Sequence, residues 1–99
     1  MKVLREGHKY EMDAFEEGGE PQTIHFIEKV PEAPNETVFN GTTNEEVLKV
    51  MINRMQSLQA RFPCRENAIV IINLEESLMW LEKRTADRKT RGVEGKQLK

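Results

Sequence analysis

The sequence contains a single cysteine, Cys64, which excludes a disulfide within the chain and a zinc site built from paired cysteines. Its longest run of apolar residues, Ala68–Ile72, is far too short to cross a membrane. No stretch resembles a secretory signal peptide, so we expect an intracellular protein. With 15 basic and 17 acidic residues the net charge is −2, which argues against a general nucleic-acid binder.

Several common catalytic patterns are also missing. The glycine pair in Glu16–Pro21 lacks the spacing of a phosphate-binding loop. His8 and His25 fall in different predicted strands with no third ligand, so we expect no metal site. Glu75 and Glu76 are adjacent on a predicted helix and point apart, so they form no acid–base pair. These patterns favour a protein that is not an enzyme and carries no cofactor.

The N-terminal part of the chain predicts β-structure. Residues alternate between polar and apolar in Lys2–Phe15 and again in Gln22–Val30, which is typical of strands. The glycine-containing turn at Glu16–Pro21 predicts an antiparallel hairpin between them. Pro31–Gly41 reads as a proline-containing connector, with Thr37–Phe39 as a short third strand. We therefore predict that residues 1–41 form a β-hairpin and connector.

The remainder predicts two helices. Thr43 and Glu46 form a capping box that begins a helix ending near Phe62. Its apolar stripe consists of Val47, Met51, Met55, Leu58 and Phe62, with Leu48 and Ile52 beside it. Pro63 breaks the helix, so the next helix should return antiparallel and end at Gly92. The predicted fold is a single α+β domain over 1–99, with a helical hairpin at 42–95 and a tail at 96–99.

The second helix carries basic residues in line with its apolar face. Leu81 ends an apolar line that begins at Ile71 and includes Leu74 and Leu78. The same side continues with four polar residues, which are Arg84, Thr85, Arg88 and Arg91. Such a face can bind an anion, whereas the alternative is that basic residues simply stabilise the negative end of the helix dipole.

The start of the second helix offers a second candidate anion site. Arg65 and Asn67 lie in its first turn, where backbone N–H groups and the positive end of the dipole can receive a phosphate. The alternative is that Asn67 only caps the helix. Cys64, just before it, is expected to be a small buried residue, with a reactive thiol as the less favoured reading. Met79 and Trp80 are expected to lie at an interface.

Five segments carry a family resemblance, namely G-H-K-Y-E-M, Q-T-I-H-F-I-E-K, N-G-T-T-N-E-E-V-L, F-P-C-R-E-N and L-E-E-S-L-M-W-L-E-K-R-T-A-D-R-K-T-R-G-V-E-G. Together they resemble a family of small phage anti-defence proteins that counter Thoeris and CBASS immunity and share a helical-hairpin domain. The N-terminal segments resemble the Thoeris anti-defence branch more than the all-helical anti-CBASS branch. The resemblance extends from Gly7 to Gly95.

The resemblance implies a protein that binds and sequesters cyclic nucleotide immune signals without cleaving them, in the cytoplasm of the infected bacterium. The implied ligands are cyclic ADP-ribose isomers, cyclic trinucleotides or both. The implied assembly is a homohexamer built from dimers, with no membrane and no DNA or RNA polymer as partner.

The resemblance also assigns residues to the two kinds of ligand. The R-T-x-x-R motif places Arg84, Thr85 and Arg88 at a cyclic trinucleotide where three subunits meet, and Arg91 extends the same side. The F-P-C-R-E-N motif places Asn67, with Arg65, at an ADP-ribose signal in a dimer interface. Ser57 stands at a further ADP-ribose position where relatives often carry an aromatic residue.

Other functions compete with this one. The main alternative is a small oligomeric protein-interaction module with no nucleotide ligand, in which the arginines only cap the helix and form salt bridges. An enzyme that cleaves the signals is disfavoured by the missing catalytic patterns. DNA binding is disfavoured by the acidic balance.

Overall fold

A computed structural model describes residues 1–92, and these residues form two compact units. The first unit, residues 1–43, contains five β-strands, and the second, residues 44–92, contains two α-helices. The predicted α+β class, with antiparallel strands followed by helices, is therefore confirmed. The predicted tail at 96–99 lies outside the described residues, and the assignment of one domain to 1–99 stays a prediction.

The first predicted strand is two strands. Lys2–Phe15 contains β1 (Lys2–Arg5) and β2 (Lys9–Met12), which pair antiparallel. The chain reverses between them at Gly7, whose φ of 79° lies in the left-handed region that glycine adopts without strain. The prediction of one strand is wrong because a tight glycine turn interrupts the polar–apolar alternation.

The predicted hairpin between the two N-terminal segments is confirmed for β2 and β3 (Gln22–His25). Tyr10 lies opposite Ile24 in this pair, and the strand order of the sheet is β1–β2–β3. The Tyr10 ring also contacts Phe26 edge to face, with the ring centroids 6.1 Å apart. The apolar side of the hairpin is therefore the side that carries these rings.

The second predicted strand, Gln22–Val30, leaves the first sheet after β3 and resumes as β4 (Glu28–Val30). At the break, the N–H of Ile27 donates to the carbonyl of Thr42 (2.8 Å), and Phe26 forms an isolated parallel bridge with Thr42. These backbone bonds to a distant segment end the pairing with β2. The strand therefore divides where its hydrogen-bond partner changes.

The predicted connector Pro31–Gly41 is largely a strand. β5 (Ala33–Phe39) pairs antiparallel with β4, so the predicted short strand Thr37–Phe39 is only the end of a seven-residue strand. The prediction of a connector is wrong because a proline excludes only a strand that needs the missing N–H for pairing. In a sheet of only two strands each strand is an edge, and an edge strand tolerates a proline such as Pro34, which lacks the backbone N–H.

The helical hairpin is confirmed. Its helices are α1 (Asn44–Arg61) and α2 (Arg65–Thr90), which begin directly after Thr43 and after the Pro63 break. Gly92 follows the end of α2 with a φ of 72°, as expected for a glycine that terminates a helix. Within residues 1–92, neither helix is long and apolar enough to cross a membrane.

The contact between α1 and α2 centres on Ile52, which is 9% exposed. The apolar line predicted on α2 is half-buried and consists of Ile71, Leu74, Leu78 and Leu81. On α1, the half-buried apolar residues are Val47, Leu48, Met55 and Leu58. Met51 and Phe62, which the predicted stripe included, are exposed because the packed line of α1 passes through Ile52 instead.

Candidate functional site

The basic end of α2 contains the four residues predicted to bind a cyclic trinucleotide. At about 100° per residue, its three arginines fall within about 60° of one another around the helix. Their exposure differs: Thr85 is half-buried and Arg88 is 6% exposed, whereas Arg84 and Arg91 are exposed. Thr85 and Arg88 thus continue the packing seam, which is the line of α2 residues that packs on α1. The other two arginines lie at the border of this line.

Arg91 is engaged at the end of its own helix. Its side chain forms an ion pair with Asp87 (Nε to Oδ2, 3.1 Å), and its backbone N–H donates to the Asp87 carbonyl (3.0 Å). Arg91 therefore fits the alternative given above, in which a basic residue stabilises the negative end of the helix dipole. For the Arg84 side chain, by contrast, the structure shows no ion pair or hydrogen bond among residues 1–92. Arg84 is the guanidinium of this group that is best placed to meet a ligand.

A groove of about 290 Å³ lies beside this end of α2. It is lined by Glu45, Lys49, Glu82, Thr85, Ala86 and Lys89. Two ammonium and two carboxylate groups make the groove mixed in charge, and only Thr85 belongs to the predicted site. Sequence analysis missed Lys49 and Lys89. The predicted antiparallel hairpin could have indicated both lysines, because it places the first turns of α1 beside the last turns of α2.

The turn that precedes α2 is closed by side chains of the hairpin itself. The side-chain amide of Gln59 donates to the carbonyl of Cys64 (3.1 Å) and accepts from the N–H of Cys64 (3.0 Å). The Cys64 Sγ accepts the backbone N–H of Asn67 (3.4 Å) and so caps the helix. The expectation that Cys64 is buried is wrong, because the turn places this cap at the surface.

The three residues predicted to bind an ADP-ribose signal do not converge within one chain. Asn67 is half-buried on the side of α2 that faces α1, and Arg65 is exposed about 160° away around the helix. Ser57 is exposed about 140° around α1 from the buried Ile52, so it points away from α2. A site that uses all three residues must take them from more than one copy of the chain.

The strand-rich unit holds a separate polar cluster. Arg5 donates to both carboxylate oxygens of Glu28 (2.7 and 2.6 Å), although Glu28 is only 8% exposed. The hydrogen bond from Arg5 lowers the pKa of the Glu28 carboxyl against the opposing effect of desolvation, and the charges of Arg5, His8 and His25 lower it further. His25 stacks on Phe39 with the ring centroids 3.5 Å apart.

This cluster does not form a metal site in the part of the chain that the structure describes. No group of three or more His, Cys, Asp or Glu side chains within residues 1–92 is placed to hold a metal ion. The buried Nδ1 of His8 has no hydrogen-bond partner among these residues. The cluster therefore consists of one ion pair with two histidines near it.

Comparison with known proteins identifies the helical hairpin. The model of the Acb2/Tad1 hairpin domain matches residues 22–86. This match includes all of α1 together with Arg84 and Thr85, and it stops before Arg88. A relative from Bacillus phage SBSphiJ7, named Thoeris anti-defense 1, is 56% identical over 57 residues. That alignment covers 57% of this chain and 40% of the relative's own length.

The family match spans well over half of the chain, and it contains both the turn and most of the two helices that organise the candidate site. The chain therefore belongs to the Acb2/Tad1 hairpin-domain family.

Proposed function

We propose that this chain is a phage-encoded anti-defence protein that binds cyclic nucleotide immune signals and holds them without cleaving them. The observation that carries the proposal is membership of the Acb2/Tad1 hairpin family, supported by 56% identity to a phage protein named Thoeris anti-defense 1. The protein acts in the cytoplasm of the infected bacterium, where such signals are made. It binds these small molecules rather than a DNA or RNA polymer.

The chemistry of the basic end of α2 suits a ligand with phosphodiester groups. Guanidinium groups bind phosphate oxygens in pairs, and such charge-assisted hydrogen bonds are stronger than neutral ones. Arg84 is exposed, and Thr85 adds a hydroxyl where the seam meets the groove. In this proposal Arg84 and Thr85 contact a cyclic trinucleotide, Arg88 adds positive charge from the seam, and Arg91 completes the basic side.

The proposed site is built from several copies of the chain. One exposed Arg84 provides a single guanidinium group, which can bind one phosphate, whereas a cyclic trinucleotide carries three phosphodiesters. Copies arranged around a threefold axis would present Arg84 and Thr85 three times to such a ligand. A threefold arrangement requires a homo-oligomer. We propose the assembly that the family resemblance implies, which is a hexamer built from dimers.

The second proposed ligand is a cyclic ADP-ribose isomer, held at a dimer interface by Asn67, Arg65 and Ser57, which come from more than one copy of the chain. Stacking of a base on an aromatic side chain is worth about 1–3 kcal/mol. Ser57 supplies a hydroxyl instead of a ring, so this contribution is missing at its position. We expect the ADP-ribose isomer to bind this chain more weakly than it binds a relative with an aromatic residue there.

The test is titration calorimetry of the purified protein with a cyclic trinucleotide and, separately, with a cyclic ADP-ribose isomer. Arg84→Ala should weaken trinucleotide binding at least tenfold, because a lost hydrogen bond to a charged group costs about 1.5–3 kcal/mol. Arg54→Ala, which removes an exposed arginine from α1, is the matched control and should bind as the wild type does. Arg84 is preferred to Arg88 because a change at the buried Arg88 also threatens the fold.

The same experiment separates the alternatives. Ligand released by heating should have an unchanged mass, and cleaved ligand would identify an enzyme instead. If the wild type binds neither ligand, the proposal fails and the protein-interaction module becomes the better account.

A further inference from the structure

Gln59, in the last turn of α1, makes two hydrogen bonds to the backbone of Cys64. Its Oε1 accepts the Cys64 N–H (3.0 Å), and its Nε2 donates to the Cys64 carbonyl (3.1 Å). These partners fix the orientation of the amide, because the N–H needs an oxygen and the carbonyl needs an NH2 group. One side chain of α1 thus satisfies both polar backbone groups of the residue that caps α2.

Asn67 occupies the position from which a side chain often caps its own helix. Cys64 is the N-cap of α2, and Asn67 is the third residue of the helix. In a capping box, the side chain at this third position reaches back and accepts the backbone N–H of the cap residue. Asparagine side chains readily make such local bonds to the backbone. Here that N–H already has Gln59 as its acceptor, so it is not open to Asn67.

The side-chain amide of Asn67 is left without a hydrogen bond among residues 1–92, although its backbone N–H donates to the Cys64 Sγ (3.4 Å). The residue is half-buried on the side of α2 that faces α1. Its amide oxygen and NH2 group therefore keep their full capacity to accept from and donate to a ligand. The alternative in which Asn67 only caps the helix does not describe this arrangement, because Cys64 and Gln59 do the capping.

We infer that Gln59 is a positioning residue for the proposed ADP-ribose site, because it occupies the Cys64 N–H and so keeps the Asn67 amide free for the ligand. The inference rests on the proposed function, which places Asn67 at a cyclic ADP-ribose isomer. Gln59 acts through Asn67 and does not need to touch the ligand. The acceptor oxygen of Gln59 is the decisive atom, since it alone competes with Asn67 for the N–H.

Two substitutions separate the acceptor of Gln59 from its donor. Gln59→Glu keeps an oxygen for the Cys64 N–H, whereas Gln59→Lys keeps a donor for the Cys64 carbonyl and opens the N–H to Asn67. In titration calorimetry with a cyclic ADP-ribose isomer, Gln59→Lys should bind at least tenfold more weakly than the wild type, and Gln59→Glu should stay within about threefold. The ligand is an anion, so charge alone predicts the opposite order, in which lysine strengthens binding and glutamate weakens it.

Gln56 provides the matched control, because it is exposed on the same helix and its side chain makes no hydrogen bond within residues 1–92. Gln56→Lys and Gln56→Glu introduce the same charges, and Gln56→Lys should not weaken binding. A cyclic trinucleotide is a second control, since Arg84 lies about 25 Å along α2 from Asn67 at 1.5 Å per residue. Both Gln59 variants should bind it within about twofold of the wild type and keep the wild-type circular dichroism, which a loss of folding would not allow.

A crystal structure of Gln59→Lys without ligand tests the positioning step separately. The Asn67 side-chain oxygen should lie within about 3.2 Å of the Cys64 nitrogen, whereas in Gln59→Glu the introduced carboxylate should accept that N–H. The inference is overturned if the Asn67 amide keeps its wild-type place in Gln59→Lys. It is also overturned if Gln59→Lys binds the ADP-ribose isomer as tightly as the wild type does, or if both variants lose binding alike. A wild type that binds no ADP-ribose isomer would refute the proposed function instead, and the crystal structure would still decide whether Gln59 controls Asn67.

Discussion

The strand-rich unit and the helical unit are stabilised by different interactions. In residues 44–92, the helices meet along an apolar line centred on Ile52. In residues 1–43, the most buried side chain among the described residues is the carboxylate of Glu28, which is paired with Arg5. Long periodic segments can form an apolar seam, whereas strands of three to seven residues depend on backbone bonds and on a few specific contacts.

The two units should therefore be sensitive to different kinds of substitution. The helical unit should respond mainly to the volume of buried side chains, because packing carries its stability. The strand-rich unit should respond mainly to backbone geometry and to pH, because hydrogen bonds and an ion pair carry its stability. Substitutions in each unit can therefore test the comparison.

The largest effect is expected from Ile52→Ala. Removing this side chain leaves a cavity in the seam, and the free energy of unfolding of the helical unit should fall by about 2–5 kcal/mol. Chemical denaturation followed by far-ultraviolet circular dichroism measures this change. Val50→Ala removes apolar atoms from an exposed position of the same helix and should cost less than about 0.5 kcal/mol. Equal losses at the two positions would contradict a seam centred on Ile52.

A smaller effect is expected from Gly41→Ala in the strand-rich unit. An added Cβ would overlap the backbone carbonyls of His25 and Phe26, so Gly41 must move away from them. This movement strains the backbone hydrogen bonds that the adjacent Thr42 makes with His25 and Ile27. We expect a loss of about 1–3 kcal/mol, measured as faster amide hydrogen exchange in β3 and β4.

Gly18→Asn is the control for this change. Gly18 has a φ of 82° with open space around it, and asparagine tolerates that conformation. The control should exchange nearly as slowly as the wild type. If Gly41→Ala does so as well, the close backbone approach at Gly41 does not limit stability.

The smallest effect is expected from titration of Glu28. Its pKa is lower in the folded state than the ordinary value of 4.5, mainly because Arg5 donates hydrogen bonds to the carboxylate. The resulting stability is present above the ordinary pKa and is lost as the pH falls through the lower folded value. Between about pH 6 and about pH 3, the wild type should therefore lose more unfolding free energy than Glu28→Gln does.

The matched control for this titration is Glu32→Gln, which neutralises an exposed carboxylate of the same unit. Its stability should depend on pH as steeply as that of the wild type. An equally steep dependence for Glu28→Gln would show that the ion pair with Arg5 does not link stability to pH.

The helices could be predicted from the sequence because several signals agreed over a long stretch. Apolar periodicity, the Thr43 cap, the Pro63 break and the Gly92 stop all indicated the observed boundaries within about two residues. The strands could not be placed as well, because alternation cannot show where a chain reverses. The turn at Gly7 divides one predicted strand into two, and Pro34 led to the prediction of a connector where β5 lies.

For the candidate site, the sequence predicted which side of α2 carries the arginines but not how deeply each arginine is buried. Helical spacing placed Arg84 and Arg88 on one side of α2, yet it could not show that Arg88 is buried while Arg84 is exposed. The position of Ser57, on the far side of α1 from Asn67, also required the three-dimensional structure. Assignment of these residues to ligands stays a prediction.

The bond pattern of Gln59 has a practical consequence for spectroscopy. Its amide satisfies both backbone groups of Cys64, much as a neighbouring strand would, so the geometry of the turn does not depend on the thiol. Chemistry at the sulfur removes only its weak acceptance of the Asn67 N–H. A probe attached there is consequently anchored to a backbone whose N–H and carbonyl are both hydrogen-bonded, so motion of the turn should add little to the distances read from it.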